Sequence, residues 1–204
     1  MEPLTIKENK INHIQMTIET YWKKAVSFEE YLAGIQKKTE YSDKEINDKE
    51  IVNKYKLSLK RITHVINNYS PDIQQQKIFE EKKFNGKILI IAEGWCGDCS
   101  QSVPVITTFF KQNSVKILQR DENPGLTKMF LTNGSESIPI VIFLKNDNSI
   151  ITHWGSRTQF GKELLTKYKK DPENYPKETF LSDLHDYYTN NNGVDIINEI
   201  LPLL

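Results

Sequence analysis

Trp95-Cys96-Gly97-Asp98-Cys99 contains the only two cysteines of the chain, three positions apart. The short apolar segment Lys87–Ala92 precedes it and is rich in β-branched residues, which predicts a buried strand. Residues 100–113 follow it and place apolar side chains at helical spacing. The cysteines therefore lie where a strand gives way to a helix, and a Cys-x-x-Cys at that junction indicates a redox motif.

The spacing of the two cysteines suits reversible disulfide chemistry. Positions i and i+3 share one face of a helical turn, so the sulfur atoms of Cys96 and Cys99 can approach to disulfide distance. The first turn of a helix has unpaired N–H groups and a partial positive charge, which stabilise a thiolate. We expect Cys96 to be exposed and to act as the nucleophile, and Cys99 to be more buried and to resolve a mixed disulfide.

Two other interpretations of the cysteine pair are weaker. A closed zinc site needs four ligands, and the remaining candidates are four histidines at the scattered positions 13, 64, 153 and 185. A purely structural role is weak because the chain has no other cysteine with which either could pair. We therefore expect no metal and no organic cofactor, only a redox-active Cys96–Cys99 disulfide.

A Trp-Cys-Gly-x-Cys motif after a hydrophobic strand resembles the active-site motif of the thioredoxin superfamily, and of bacterial thioredoxin-like proteins in particular. Pro104, five residues after Cys99, matches the proline that kinks the active-site helix in this family. Ile138-Pro139 precedes the apolar run 140–144, and is similar to the cis-proline of the family and the strand behind it. Gly155 matches a glycine that thioredoxins carry beside the site.

The resemblance implies an α/β thioredoxin-like fold, with a central mixed sheet of about four strands flanked by helices. The similar region covers residues 71–170, which we interpret as the thioredoxin-like domain. Residues 1–70 would then form an N-terminal helical extension packed on the core, and residues 171–204 would add C-terminal helices.

The resemblance also implies roles for residues around the cysteine pair. A cis-proline at Pro139 exposes a strand edge where an extended substrate can dock. We expect Trp95 to form an apolar platform and Gly97 to relieve crowding at the helix start. Arg157 could stabilise the Cys96 thiolate or bind an acidic partner, or it could simply begin a helix in solvent. The expected rim of the substrate-binding region consists of Ile138, Trp154, Gly155 and Arg157.

The chain departs from the thioredoxin pattern at the residues that take part in proton transfer. Ile90 stands where thioredoxins often carry a buried aspartate, and an apolar residue near Ile117 replaces the lysine that pairs with it. Proton transfer from Cys99 therefore needs another route, through water, Glu93 or Asp98. We expect Glu93 to face inward and Asp98 to point outward, where its charge disfavours a neighbouring thiolate and makes the pair a better reductant.

Composition and charge bear on partners and compartment. Lys+Arg and Asp+Glu each number 27 in 204 residues, so the formal net charge is zero and gives no reason to expect nucleic acid or a membrane as partner. Residues 1–20 carry charged side chains and no apolar run, unlike a signal peptide. We expect a cytoplasmic protein, in which a lone cysteine pair is more often catalytic than structural.

Helix signals recur outside the redox motif. Ser27–Glu30 and Ser42–Glu45 both match the capping-box pattern. Asn123-Pro124 predicts the start of a helix that runs to about Thr132. Spacings of three and four predict one apolar helix face formed by Ile51, Tyr55, Leu59, Ile62, Ile66 and Tyr69. We expect this extension to pack on the core, and it can at the same time cover one sheet face and shape access to the disulfide.

The sequence thus predicts a thiol–disulfide oxidoreductase that reduces protein disulfides and is recycled by an unidentified reductase; it favours a monomer without determining the oligomeric state. One alternative is a thioredoxin-fold adaptor or chaperone with little redox turnover, which the missing aspartate and the helical cover favour. A second alternative is a thiol peroxidase, in which Cys96 attacks peroxide. Trp95 and the paired Cys99 argue against it.

Overall fold

A mixed four-stranded sheet forms the centre of the part of the chain that the computed structural model describes, residues 17–40 and 49–204. β1 runs parallel to β2 and antiparallel to β3, and β4 runs antiparallel to β3. The order across the sheet is β2-β1-β3-β4, with β1 (Lys87–Ala92), β2 (Ser114–Gln119), β3 (Ile140–Leu144) and β4 (Ile150–Gly155).

Helices flank this sheet, so the predicted α/β fold class is confirmed. Within residues 17–40 and 49–204, none of the helices has both the length and the apolar character needed to cross a lipid bilayer. In chain order the helices are α1 (17–24), α2 (Phe28–Thr39), α3 (Lys49–Asn68), α4 (Ile73–Lys82), α5 (Gly97–Phe109), α6 (Gln159–Lys170), α7 (Lys177–Asn191) and α8 (Val194–Ile200).

The apolar residues of the central strand β1 are covered on every side by neighbouring parts of the fold. Residues 88–92 are completely buried, and β2 and β3 pair with the two edges of the strand. Ile90, at the position of the missing aspartate, lies in register between Ile117 and Val141. The strand beneath the cysteine pair is therefore wholly apolar at this point, as the sequence indicated.

The described part of the N-terminal extension packs against this core. Val26 forms two backbone hydrogen bonds with Ile117, of 2.8 and 2.9 Å, which adds a short bridge to the β2 edge. α2 begins with the predicted capping box, in which Ser27 and Glu30 exchange hydrogen bonds. The second predicted capping box, residues 42–45, lies outside the described residues.

The buried face of α3 differs slightly from the predicted stripe. Val52 and Val65 are buried, whereas Ile66 is 44% exposed. Ser58 is also buried, although it is polar. The predicted face was rotated because spacing identifies a helical stripe, while the contacting helices determine which edge of it is covered.

The helix predicted from residue 123 to about Thr132 is wrong. The segment forms turns and one short 3-10 helix, Thr127–Met129. Gly125 has a φ of 126°, which no α-helix accommodates, so helical hydrogen bonding cannot pass through it. The C-terminal helices were predicted correctly, and left-handed Asn192 and Gly193 separate α7 from α8.

Candidate functional site

Cys96 is the residue immediately before α5, and its backbone is extended rather than helical. Its thiol donates a hydrogen bond of 3.7 Å to the carbonyl oxygen of Ile138, and its own carbonyl accepts from the amide of Ser100 at 3.0 Å. The Ile138–Pro139 peptide bond is cis, as predicted. The nucleophile therefore lies at the N-terminus of a helix and against the segment that leads into β3.

Cys99 lies in the first turn of α5 and is completely buried, as expected for the resolving cysteine. Both thiols are free, and Cys99 forms a side-chain hydrogen bond with Cys96. Burial raises the pKa of the Cys99 thiol well above its usual range, and the hydrogen bond with Cys96 raises it further. Cys99 is thus a protonated thiol until something favours its ionisation.

The expectation that Cys96 is exposed is wrong, since only 9% of its surface is accessible. Two helices outside the motif contact the adjoining first turn of α5. A Cβ atom on Gly97 would lie 3.0 Å from Cε1 of His185 on α7 and 3.2 Å from Nη1 of Arg61 on α3. The missing side chain of Gly97 lets these two groups approach the turn closely, and a larger residue would require them to shift by a few tenths of an ångström.

We call Arg61 and His185 the roof of the site. Neither was predicted to be functional; His185 was noted only as an unlikely metal ligand. A signal for Arg61 did exist, because it lies three residues after Ser58 and four before Val65, on the buried face of α3. No comparable local signal marks His185.

The prediction that Asp98 points outward is also wrong. Its side chain is buried and accepts a hydrogen bond of 2.5 Å from Nη2 of Arg157 and one of 2.8 Å from the Tyr188 hydroxyl on α7. These donors compensate for the removal of the carboxylate from water. Burial nevertheless raises the pKa of Asp98, against the opposing effects of Arg157 and Tyr188.

Positive charge dominates the surroundings of Cys96. Arg61 and Arg157 both interact electrostatically with Cys96, and the carboxylate of Asp98 offsets only part of their charge. His185 adds no charge at neutral pH, because burial and the two arginines lower its pKa to about 4. The Cys96 sulfur therefore lies within electrostatic range of two guanidinium groups.

Glu93 is buried at the end of β1, as its predicted inward orientation requires. Its Oε1 accepts a 2.8 Å hydrogen bond from the amide of Asp121, and burial raises the pKa of its carboxyl group. The contact between Glu93 and Cys99 is made through the Glu93 backbone. The carboxylate itself is thus oriented by the residues that follow β2.

Tyr31 on α2 is a second buried group near the cysteines that sequence reasoning missed. It is 1% exposed, and its hydroxyl has no hydrogen-bond partner within the described chain. The hydroxyl interacts electrostatically with Cys99 most strongly, then with Cys96 and Glu93. Burial raises the pKa of Tyr31 well above its usual range, so it remains a hydrogen-bond donor.

The predicted rim residues have different environments. Trp95 is half-buried, donates to Asp121 at 3.1 Å and stacks under Arg120, so it forms only part of an exposed platform. Trp154 is 5% exposed and donates at 2.9 Å to Glu199 on α8, which turns its polar edge away from solvent. Ile138 is also buried.

Gly155 faces the segment before β3. A Cβ atom on this glycine would lie 2.3 Å from the carbonyl oxygen of Pro139, so the close approach of the two chains excludes any larger residue. In residues 17–40 and 49–204, no three His, Cys, Asp or Glu side chains are grouped so as to hold a metal ion.

A thioredoxin family model matches residues 45–169. No curated protein matches the chain. A crystal structure of a protein of unknown function from Pseudomonas aeruginosa is 14% identical, with a TM-score of 0.51 over 88% of this chain and 91% of the other. An HIV epitope-scaffold is 10% identical, with a TM-score of 0.59 over 91% of this chain and 95% of the other. Both likenesses are of fold alone.

Proposed function

This chain belongs to the thioredoxin family, and on that basis we propose that it is a thiol–disulfide oxidoreductase that reduces protein disulfides through Cys96 and Cys99. One observation carries the proposal: Cys96 occupies a helix N-terminus with its sulfur against the Ile138 carbonyl, and Cys99 lies one turn further along α5. This arrangement can exchange one disulfide for another with little movement of the backbone.

The reaction has two exchange steps. The Cys96 thiolate attacks one substrate sulfur, a bond between Cys96 and the substrate forms, and the other substrate sulfur leaves as a thiolate. Cys99 then loses its proton and attacks Cys96, which releases the second substrate thiol and leaves the Cys96–Cys99 disulfide. An external dithiol reductase must return two electrons and two protons, and the proposal needs no metal or organic cofactor.

Two arginines assist the first step. Arg61 and Arg157 interact electrostatically with Cys96, whose thiolate is the attacking species. Arg157 is held in place by its ion pair with Asp98. In this scheme Asp98 is a positioning residue, because it acts through Arg157.

The second step needs a group that favours the Cys99 thiolate in an apolar setting. The Tyr31 hydroxyl can donate a hydrogen bond to that thiolate, because it is buried, unpartnered within the described residues and coupled most strongly to Cys99. Because its pKa is raised, the Tyr31 hydroxyl stays protonated and cannot act as the base that takes the proton from Cys99. Glu93, whose pKa is raised by burial, remains the candidate acceptor through water.

The roof favours a second candidate function, a thioredoxin-fold binding module with little turnover. Cys96 is only 9% exposed, and Arg61 and His185 cover the adjoining turn. A folded substrate that approaches Cys96 therefore meets a largely buried sulfur beside these two side chains. Under the binding hypothesis, the roof stays closed and the cysteines do not turn over.

Insulin reduction with dithiothreitol as electron donor distinguishes the two functions. We expect the wild-type protein to accelerate precipitation of the insulin B chain, and Cys96→Ser to give only the uncatalysed rate. Cys99→Ser should instead accumulate a mixed disulfide at Cys96. Wild-type activity no higher than that of Cys96→Ser would overturn the enzyme proposal in favour of the binding module.

A further inference from the structure

A cavity of about 250 Å³ lies beside the segment that carries the cis-proline. One wall is a tight turn, residues 132–135, closed by two backbone hydrogen bonds of 2.9 and 3.0 Å between Thr132 and Ser135. The other wall is one face of α6, where Lys162, Thr166 and Lys169 recur at spacings of four and three. We call this cavity the basic pocket.

The lining of the basic pocket has the chemistry of an anion site. It contains three cationic side chains and five hydroxyl groups, and no carboxylate. Arg157 already pairs with Asp98, whereas Lys162 and Lys169 form no ion pair within residues 17–40 and 49–204. The neighbouring acid, Glu163, is exposed and accepts a hydrogen bond from Gln159. The two lysines therefore supply uncompensated positive charge.

Two residues of the basic pocket are chain neighbours of residues in the proposed redox site. Its serine Ser137 immediately precedes Ile138, whose carbonyl contacts the Cys96 sulfur. Its serine Ser156 immediately follows Gly155, which packs on the Pro139 carbonyl. A substrate whose sulfur approaches Cys96 can therefore place a neighbouring part of its own chain in the pocket.

We propose that the basic pocket binds acidic side chains of an extended peptide substrate, so that the protein prefers disulfides in acidic segments. This rests on the proposed function and names its substrate class. Lys162 and Lys169 are separated by about 10 Å along the helix. Alternate side chains of an extended peptide lie about 7 Å apart on one face. The flexible lysine and glutamate side chains can span the remaining difference of about 3 Å, so acids at two alternate positions can reach both lysines.

Three peptides with one internal disulfide test the proposal, identical except for a Glu-x-Glu, Gln-x-Gln or Lys-x-Lys flank. With dithiothreitol as electron donor, we expect kcat/KM to be about five-fold higher for the Glu than for the Gln peptide, and lower for the Lys peptide. Lys162→Gln with Lys169→Gln should abolish this preference. Lys170→Gln, an exposed lysine of the same helix outside the pocket, should preserve it.

Each other outcome overturns the proposal. Equal kcat/KM for the three peptides excludes selection by charge. If Lys170→Gln loses the preference for the Glu peptide to the same extent, the preference comes from the overall positive charge of α6 and not from the pocket. Glutathione disulfide, a small carboxylate-bearing substrate, overturns the peptide assignment if it alone shows the dependence on Lys162 and Lys169.

Binding separates this proposal from the redox one. Fluorescence anisotropy of a labelled, reduced Glu peptide with Cys96→Ser protein needs no turnover. Binding that is lost in the Lys162→Gln, Lys169→Gln variant supports the pocket even if no disulfide is reduced. Absence of that lysine-dependent binding overturns the pocket even if insulin is reduced.

Discussion

Tyr188 and Asp98 are 90 residues apart in the chain, and the tyrosine hydroxyl donates a 2.8 Å hydrogen bond to the buried aspartate. The bond joins α7 to the residue between the two cysteines. Arg157, which follows β4, donates to the other oxygen of the same carboxylate. The redox motif is therefore held by the C-terminal part of the chain as well as by its own helix.

Tyr188→Phe should destabilise the fold by about 1–3 kcal/mol, because it leaves one oxygen of a buried carboxylate without its donor. Urea unfolding followed by circular dichroism measures the change. Tyr187→Phe is the matched control, since Tyr187 donates to the less buried Asp195 and its loss should cost less. Equal losses in the two variants would contradict a special role for the Asp98 contact.

Arg61→Gln should slow alkylation of Cys96 at pH 7 by about three- to five-fold, because it removes one of the two guanidinium groups that interact electrostatically with the attacking sulfur. Iodoacetamide kinetics on Cys99→Ser protein isolate the nucleophile. Lys60→Gln, which removes an exposed cation of the same helix, should be alkylated at the wild-type rate. Faster alkylation of Arg61→Gln would show that the roof acts mainly as a steric cover.

Tyr31→Phe should slow resolution of the mixed disulfide by about five-fold, the loss expected for one hydrogen bond to the Cys99 thiolate. Attack by Cys96 should change less, so the mixed disulfide accumulates and can be trapped by acid quench and mass spectrometry. Tyr55→Phe is the control, because the Tyr55 hydroxyl already pairs with Lys38. If Tyr31→Phe resolves the mixed disulfide at the wild-type rate, Tyr31 does not assist ionisation of Cys99, and Glu93 or water must do so.

Stability should fall as the pH drops from about 6.5 to about 4, because His185 has a pKa of about 4 in the fold against an unfolded value of 6.5. In this window the unfolded chain binds the proton that the fold excludes. Arg61 and Arg157 face the ring and oppose its protonation, and the loss can reach about 3 kcal/mol.

Urea unfolding of His185→Gln at several pH values checks this pH dependence. The variant should show a flatter profile between pH 4 and 6.5. His64→Gln, an exposed histidine on α3, should keep the wild-type slope. A wild-type slope in His185→Gln would assign the pH dependence to other groups.

Local pattern was enough to predict the strand, the cysteine pair and the following helix. An unbroken apolar run predicts a buried strand, and the i, i+3 cysteine spacing depends only on the geometry of one helical turn. The resemblance to the thioredoxin superfamily, and not local pattern, predicted the cis peptide bond before Pro139 and the place of Gly155 beside it. The predicted helix after residue 123 failed because Gly125 adopts a positive φ that a sequence pattern does not reveal.

The environment of the cysteines depends on residues that are distant in the chain. Arg61 and His185 cover the first turn of α5, and the prediction that Cys96 is exposed failed. Tyr188 and Arg157 bind the carboxylate of Asp98 inside the fold, and the prediction that Asp98 points outward failed as well. Periodicity shows that a helix has a buried face, but the partner of that face is selected by packing among helices and sheet together. The exposure of Cys96 and the orientation of Asp98 are therefore properties of the assembled fold, because neither residue's neighbours can be identified from the local sequence.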